Sequence, residues 1–159
     1  MNARIEWFQA SPGATQALLG VQAFINDCGL EHPLLELVKM RASQINGCAY
    51  CIDMHAKDAR AAGETEQRLY LLDAWREAAH LYSERERAAL EFTEAVTRLD
   101  SREVPDGAYA AAKAQFRDDE LVNLTLAITA INSWNRMNIA FQVKAGGYRP
   151  GMFKAARRA

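Results

Sequence analysis

The sequence predicts an all-α fold of six to eight helices in one domain spanning residues 1–159, assembled as a homo-oligomer. Three observations carry that expectation. Apolar residues recur at spacings of three and four along most of the chain, and strand-like alternation is almost absent. Residues suited to helix starts and stops punctuate these runs at regular intervals. The last long run is apolar on most of its circumference, through Leu121, Val122, Leu124, Leu126, Ile128, Ile131, Trp134, Ile139 and Phe141. A helix of that kind needs burial on all sides, which a second copy of a small chain would supply; a place at the centre of the monomer is the alternative. At 159 residues, 50% hydrophobic and 25% charged, the chain can bury a substantial core.

Each element has its own signals. Ser11 is a candidate N-cap with Pro12 in the first turn, and Leu18, Val21, Phe24 and Ile25 form a stripe that stops at Gly29. Pro33 opens a second helix with Leu34, Leu37, Val38 and Ile45 on one face, broken by Asn46 and Gly47. A third runs from about Cys48 to Ala62 and stops at Gly63. Thr65 caps a fourth, and Ser83 with Glu86 forms a capping box for a fifth. A short Ala-rich helix covers Asp106 to Phe116. The last starts at Asp118 or Asp119 and is expected to run to Gly146 and Gly147.

Composition excludes several function classes. Net charge is −1 with no long Lys/Arg block, so nucleic acid is not an expected partner. The basic end "FKAARRA" reads as a solvated tail. No apolar run reaches the roughly 18 residues of a membrane span, and "MNARIEWFQASPG" lacks the apolar region of a secretory signal. Three cysteines argue against a disulfide framework, which leaves the reducing cytoplasm as the expected compartment. No Gly-rich phosphate loop appears, so no nucleotide cofactor is expected.

The chemistry concentrates in "NGCAYCIDMH", Asn46 to His55. Cys48 stands at a helix start, where unpaired backbone N–H groups and the helix dipole stabilise a thiolate. Cys51 and His55 follow at spacings of three and four, so all three side chains leave one helix face within an arc of about 60°. His55 is thereby placed to exchange a proton with Cys51. Three readings stay open on spacing alone. The cysteines form a redox pair, or they bind zinc together with His55, or they are two small core residues. Glu36, between Leu35 and Leu37, either points to solvent or faces the third helix, where burial would raise its pKa and suit it to proton transfer.

Other residues receive plainer readings. Cys28 is expected to be an inert buried thiol, and His80 has no assigned role. Trp75, Tyr82 and Trp134 are expected in the core, with a shared apolar pocket as the alternative. Asn132, Asn135 and Asn138 recur every three residues in the buried segment and are expected to hydrogen-bond across helices or subunits, a structural role.

Glu36, eleven intervening residues, Cys48-Ala49-Tyr50-Cys51, three more and His55 together resemble the signature of the alkylhydroperoxidase D (AhpD) family, within the carboxymuconolactone decarboxylase superfamily. The surrounding "VKMRASQINGCAYCIDMH" and the later "ITAINSWNRMNIAF" resemble that family too, with the redox core at about residues 34–62. The resemblance implies an AhpD-like helical fold assembled as trimers or hexamers. It implies a thiol-dependent peroxidase that reduces organic hydroperoxides through a Cys48/Cys51 dithiol–disulfide cycle, with electrons from a dithiol protein. By that resemblance Cys51 is the peroxidatic residue, passing through a sulfenic acid, and Cys48 is the proton donor and resolving thiol. His55 and Glu36 form the proton relay, and the redox-active disulfide replaces any cofactor or metal. Tyr50 stands where the best-characterised members have histidine, which weakens the expected relay. Position at the helix start favours Cys48 as the low-pKa thiol, whereas the family pattern favours Cys51. The other readings are a general thiol–disulfide reductase, a redox sensor, or a lactone decarboxylase-like enzyme.

Overall fold

Breakers and caps set the architecture of this computed structural model, which describes residues 3–100 and 102–152. Eight α-helices follow in order: α1 Trp7–Ala10, α2 Pro12–Asp27, α3 His32–Asn46, α4 Ala49–Ala61, α5 Glu66–Leu71, α6 Glu84–Arg98, α7 Asp106–Gln115 and α8 Asp118–Ala140. Two 3₁₀ turns, Leu72–Ala74 and Ala79–Leu81, join α5 to α6, and no strand occurs among the described residues. The basic end of the chain lies outside the described residues.

The expected caps are present except one. Ser83 accepts from the Glu86 N–H and the Glu86 carboxylate accepts from the Ser83 N–H, so the α6 capping box is complete. Thr65 Oγ1 accepts from the Arg68 N–H at the start of α5. Ser11 precedes Pro12 as expected, but its side chain makes no capping bond. Gly47 ends α3 at φ +70°, a left-handed conformation that favours glycine. The Cys48 N–H then donates back to the Ser43 carbonyl at 3.0 Å, and the chain leaves directly into α4. This tight turn sets Cys48 at the N-cap of α4 and lays α4 against α3.

Helix α3 is the hub, packing on α4, α6 and α8. Its Leu35 and Val38 join Ile25, Leu124 and Ile128 in one core cluster. Its Leu37 and Met40 join Leu69, Leu72, Trp75, Tyr82 and Leu90 in a second. Each fully buried aliphatic side chain here contributes roughly 1.5–3 kcal/mol of transfer free energy. A third, smaller cluster joins Ala42, Cys48, Cys51 and Ile131, with Tyr50 and Trp134 packed against it. Trp75 and Tyr82 therefore belong to a different cluster from Trp134.

Helix α8 departs from expectation twice. It ends at Ala140, short of Gly146, because the Val143 N–H takes the Asn138 carbonyl and Gln142 turns left-handed at φ +54°. It is also buried on one face only. Leu121, Leu124, Ile128, Ile131, Asn135 and Asn138 line that face at helical spacing, while Val122 is 67% and Ile139 44% exposed. After α8 the chain folds back along α4. Lys57 Nζ donates to the Gly146 and Tyr148 carbonyls at 3.2 and 3.1 Å, and the Gly146 N–H donates to Asp53 at 3.0 Å.

Candidate active site

The site assembles where α3, α4 and α8 meet. Cys48, at the α4 N-cap, and Cys51, one turn inside, bring their sulfurs within 2.6 Å of each other as free thiols. Both are buried, 1% and 0% exposed, so only a small reactant can reach them without movement of the chain. At that separation the two thiols ionise as a pair. The hydrogen bond between the two sulfurs is the first cause that holds Cys48 down to about 7 despite burial, and the backbone N–H groups of Cys51 and Tyr50 help. Cys51 is pushed well above the ordinary thiol range, first by its hydrogen bond to Cys48 and then by burial. The pair thus shares its first negative charge, with the helix-start N–H groups drawing it toward Cys48.

Glu36 faces α4 rather than solvent. Its Oε2 lies 2.8 Å from His55 Nδ1, and its Oε1 accepts from Lys39 Nζ at 2.9 Å. Burial raises its pKa as the sequence suggested, but attraction and hydrogen bonding from His55 and Lys39 overcome that, and the carboxyl falls to about 2. Lys39, only 6% exposed, is the partner that sequence spacing did not single out. An ionised carboxylate is acceptor-only, so the His55 nitrogen facing it, Nδ1, carries a hydrogen. That leaves Nε2 as the ring nitrogen not engaged by the carboxylate. It is buried and has no hydrogen-bond partner among the described residues.

The geometry thus yields two directly bonded pairs, Cys48 with Cys51 and Glu36 with His55. No hydrogen bond joins His55 to either sulfur among the described residues, although the sequence placed His55 beside Cys51. Tyr50 packs against the cysteine cluster, and burial followed by the nearby Cys51 raises its phenol pKa further. It therefore cannot stand in for a titrating histidine near neutral pH.

Three further groups border the site. Asn138 Nδ2 donates to Cys51 Sγ at 3.3 Å, and Trp7 Nε1 donates to Asn138 Oδ1 at 3.3 Å. The expected cross-helix bonds of the asparagines are present: Asn46 donates to Asn132 and Asn135, and Asn135 donates to Ser43. The contact of Asn138 with sulfur was missed, although an amide at a core-facing α8 position was the available signal. On the other side Asp58 accepts from the Tyr148 hydroxyl, at 2.8 and 2.9 Å to its two oxygens. Glu36, His55 and Asp58 bring potential ligand atoms within 4.8 Å of one another. Lys39 and Tyr148 already occupy both carboxylates. The zinc reading required Cys48, Cys51 and His55, which do not converge as a ligand group among the described residues.

Cys28 is half-buried against the main core, and His80 is exposed, away from this chemistry. Two surface grooves of about 350 and 340 Å³ lie along α6 and α7, lined by residues such as Trp75 and Arg87 or Arg76 and Glu94, and neither reaches the cysteines.

Comparison with known proteins decides the family. The model of the carboxymuconolactone decarboxylase family matches residues 11–95, which include Glu36, both site cysteines and His55. The chain belongs to that family. It is 41% identical over 145 residues to the uncharacterized protein YdfG of Bacillus subtilis (strain 168), covering 91% of this chain and 98% of YdfG. A crystal structure from Agrobacterium tumefaciens, of a protein of unknown function associated by name with the antioxidant defence protein AhpD, superposes with a TM-score of 0.88. The identity is 41%, over 92% of this chain and 100% of that one. The AhpD core of an uncharacterized peroxidase-related protein from Ralstonia eutropha JMP134 shares the fold at a TM-score of 0.77 and 21% identity, over 88% and 74% of the two chains. The resemblance read from the Glu–Cys-x-x-Cys–His spacing therefore holds: the fold is the all-helical AhpD-like one.

Proposed function

We propose that the chain is a thiol-dependent peroxidase that reduces organic hydroperoxides through a Cys48/Cys51 dithiol–disulfide cycle. The observation that carries this reading is the buried pair of free thiols 2.6 Å apart, with a carboxylate-held imidazole one turn further along the same helix. The charge shared by the pair reaches Cys51 when the one remaining thiol proton lies on Cys48. The Cys51 thiolate then attacks the terminal peroxide oxygen and the O–O bond breaks. The Cys48 proton passes to the departing alkoxide, leaving an alcohol and a Cys51 sulfenic acid. The Cys48 thiolate next attacks the Cys51 sulfur, and the hydroxyl leaves with a proton as water. This gives the Cys48–Cys51 disulfide. Cys51 is thus peroxidatic, and Cys48 is proton donor and resolving thiol. His55, oriented by Glu36, supplies and collects protons at Nε2. A dithiol protein returns the two electrons. The reaction uses no cofactor beyond the disulfide.

Burial of both sulfurs admits a small hydroperoxide to the closed site, whereas a dithiol protein reaches the disulfide only when the chain moves to expose it. Cytoplasmic residence fits a cycle that needs reduced thiols, and no helix among the described residues is long and apolar enough to cross a membrane. Exposed apolar side chains such as Phe24, Val122 and Ile139 suit a homo-oligomer, a trimer or hexamer, which light scattering would test.

The cycle is tested by steady-state consumption of an organic hydroperoxide with a small dithiol as reductant. Wild type should turn over, and Cys51→Ser and Cys48→Ser should not. Oxidation that stops after one equivalent even with excess reductant would favour a redox sensor. Absence of reaction with peroxide, but rapid exchange with a disulfide, would favour a reductase.

A further inference from the structure

We propose that Asn138 makes Cys51, rather than Cys48, the attacking sulfur, and that Trp7 is the positioning residue that aims it. The inference rests on the peroxidase reading above and assigns it one more group in contact with a reacting atom. Asn138 is 4% exposed, on the inner face of α8, with Nδ2 3.3 Å from Cys51 Sγ. A side-chain amide can be turned either way, so its orientation needs an independent reason. Trp7 provides one. An indole N–H only donates, and Trp7 Nε1 lies 3.3 Å from Asn138 Oδ1. The carbonyl end must therefore face Trp7, and the NH₂ end must face Cys51.

The indole is itself held in place. Trp7 is 2% exposed, stacks on Phe8 at 4.1 Å between ring centres, and lies 5.7 Å from the ring of Trp134. The Arg4 N–H bonds to the Phe141 carbonyl at 2.8 Å, which ties the segment before α1 to the end of α8. Asn138 thus donates to one sulfur from a fixed direction.

Discrimination between the sulfurs follows from which donors they share. Cys48 has the backbone N–H groups at the start of α4, and these draw charge toward it. Asn135 contacts both sulfurs and cannot choose between them. Asn138 bonds Cys51. Of the titratable groups, Cys48 acts on Cys51 from the start of the same helix. Glu36 and His55 are bonded to each other instead. A donor dedicated to Cys51 favours the arrangement with the negative charge on Cys51 and the proton on Cys48. That arrangement has an electron pair ready for the peroxide oxygen and a proton ready for the alkoxide.

The test titrates each sulfur alone, without peroxide. Cys28→Ser is included throughout, so that Cys48→Ser leaves only Cys51 and Cys51→Ser leaves only Cys48. Thiolate is followed by its ultraviolet absorbance against pH. Adding Asn138→Leu to the Cys51-only protein should lower the thiolate fraction near neutral pH about tenfold, the size of one charge-assisted hydrogen bond. Adding Trp7→Phe, which keeps an aromatic ring and removes the N–H, should lower it less. Neither change should move the Cys48-only titration. Equal shifts at both sulfurs, or none at Cys51, would overturn the assignment. Should Asn138→Leu fail to fold, Trp7→Phe makes the same comparison. A wild type inert to hydroperoxide that still shows the Cys51-confined shift would remove the peroxidase reading and keep this role for the amide.

Discussion

Helix α3 carries two buried ionic clusters, and they differ in how completely their groups are satisfied. On one face Glu94 of α6 accepts from Arg41 Nε at 2.9 Å, Trp75 Nε1 at 2.8 Å and Arg76 at 2.6 Å, while Arg41 also reaches Gln44 and Asp73. Arg98 adds a fourth partner at 3.5 Å, so both oxygens of that carboxylate hold two partners. On the other face Glu36 holds Lys39 and His55, and His55 keeps one buried nitrogen without a partner. A saturated cluster fixes a helix–helix contact and has nothing left to exchange. A cluster with an orphaned imidazole nitrogen, next to two thiols sharing charge, retains the capacity for proton transfer. Burial and charge are common to both; incomplete satisfaction distinguishes the site.

That contrast can be broken from either side, and the largest effect belongs to the saturated cluster. Glu94→Ala leaves Arg41 buried without its main partner and should lower unfolding stability by about 3–5 kcal/mol in denaturant titration. The rate of thiol oxidation per folded molecule should stay within a few-fold. His55→Gln should show the opposite pattern. Peroxide-driven thiol loss should slow by about 100-fold, the usual scale of a positioned acid–base group, with a smaller change in the melting midpoint.

A pH series sharpens the comparison further. The pKa of Glu36 is depressed on folding, to about 2 from an ordinary 4.5, so its stabilising effect is fully present above the unfolded value. It is lost as pH falls through that window toward about 2. Glu36→Gln should flatten the part of the acid stability profile that Glu36 contributes. The smallest expected effect is that of Tyr148→Phe, which removes one hydrogen bond to Asp58 and should lower stability by about 1 kcal/mol.

The legible parts of the molecule were those set by local chemistry. The Ser83–Glu86 box, the Gly47 stop and the Glu36–Cys48–Cys51–His55 spacing all act within a few turns of chain, and the sequence displays them directly. Parts fixed by distant partners were not legible. The expected rise of the Glu36 pKa reversed because Lys39 and His55 converge on it, and which way a Glu points on an amphipathic helix is set by packing. The end of α8 was misplaced because Gln142 adopts a positive φ without being glycine, leaving Gly146 and Gly147 as the visible but wrong stop. Apolar residues all around α8 suggested complete burial, yet Val122 and Ile139 face outward while asparagines occupy the inner face. Asn138 could be placed in the buried segment from sequence, but its contact with sulfur depends on Trp7, 131 residues away along the chain.

The central claim is that Cys48 and Cys51 act together on a peroxide. Its most direct test is a single-turnover experiment: reduced protein mixed with an organic hydroperoxide, followed by stopped-flow and by mass spectrometry of the quenched chain. The account predicts a rapid burst of one peroxide per chain, a product lighter by two hydrogens, and a peptide in which Cys48 is joined to Cys51. Slow oxidation without a burst, or a product oxidised at Cys28 with the Cys48–Cys51 pair still reduced, would contradict it.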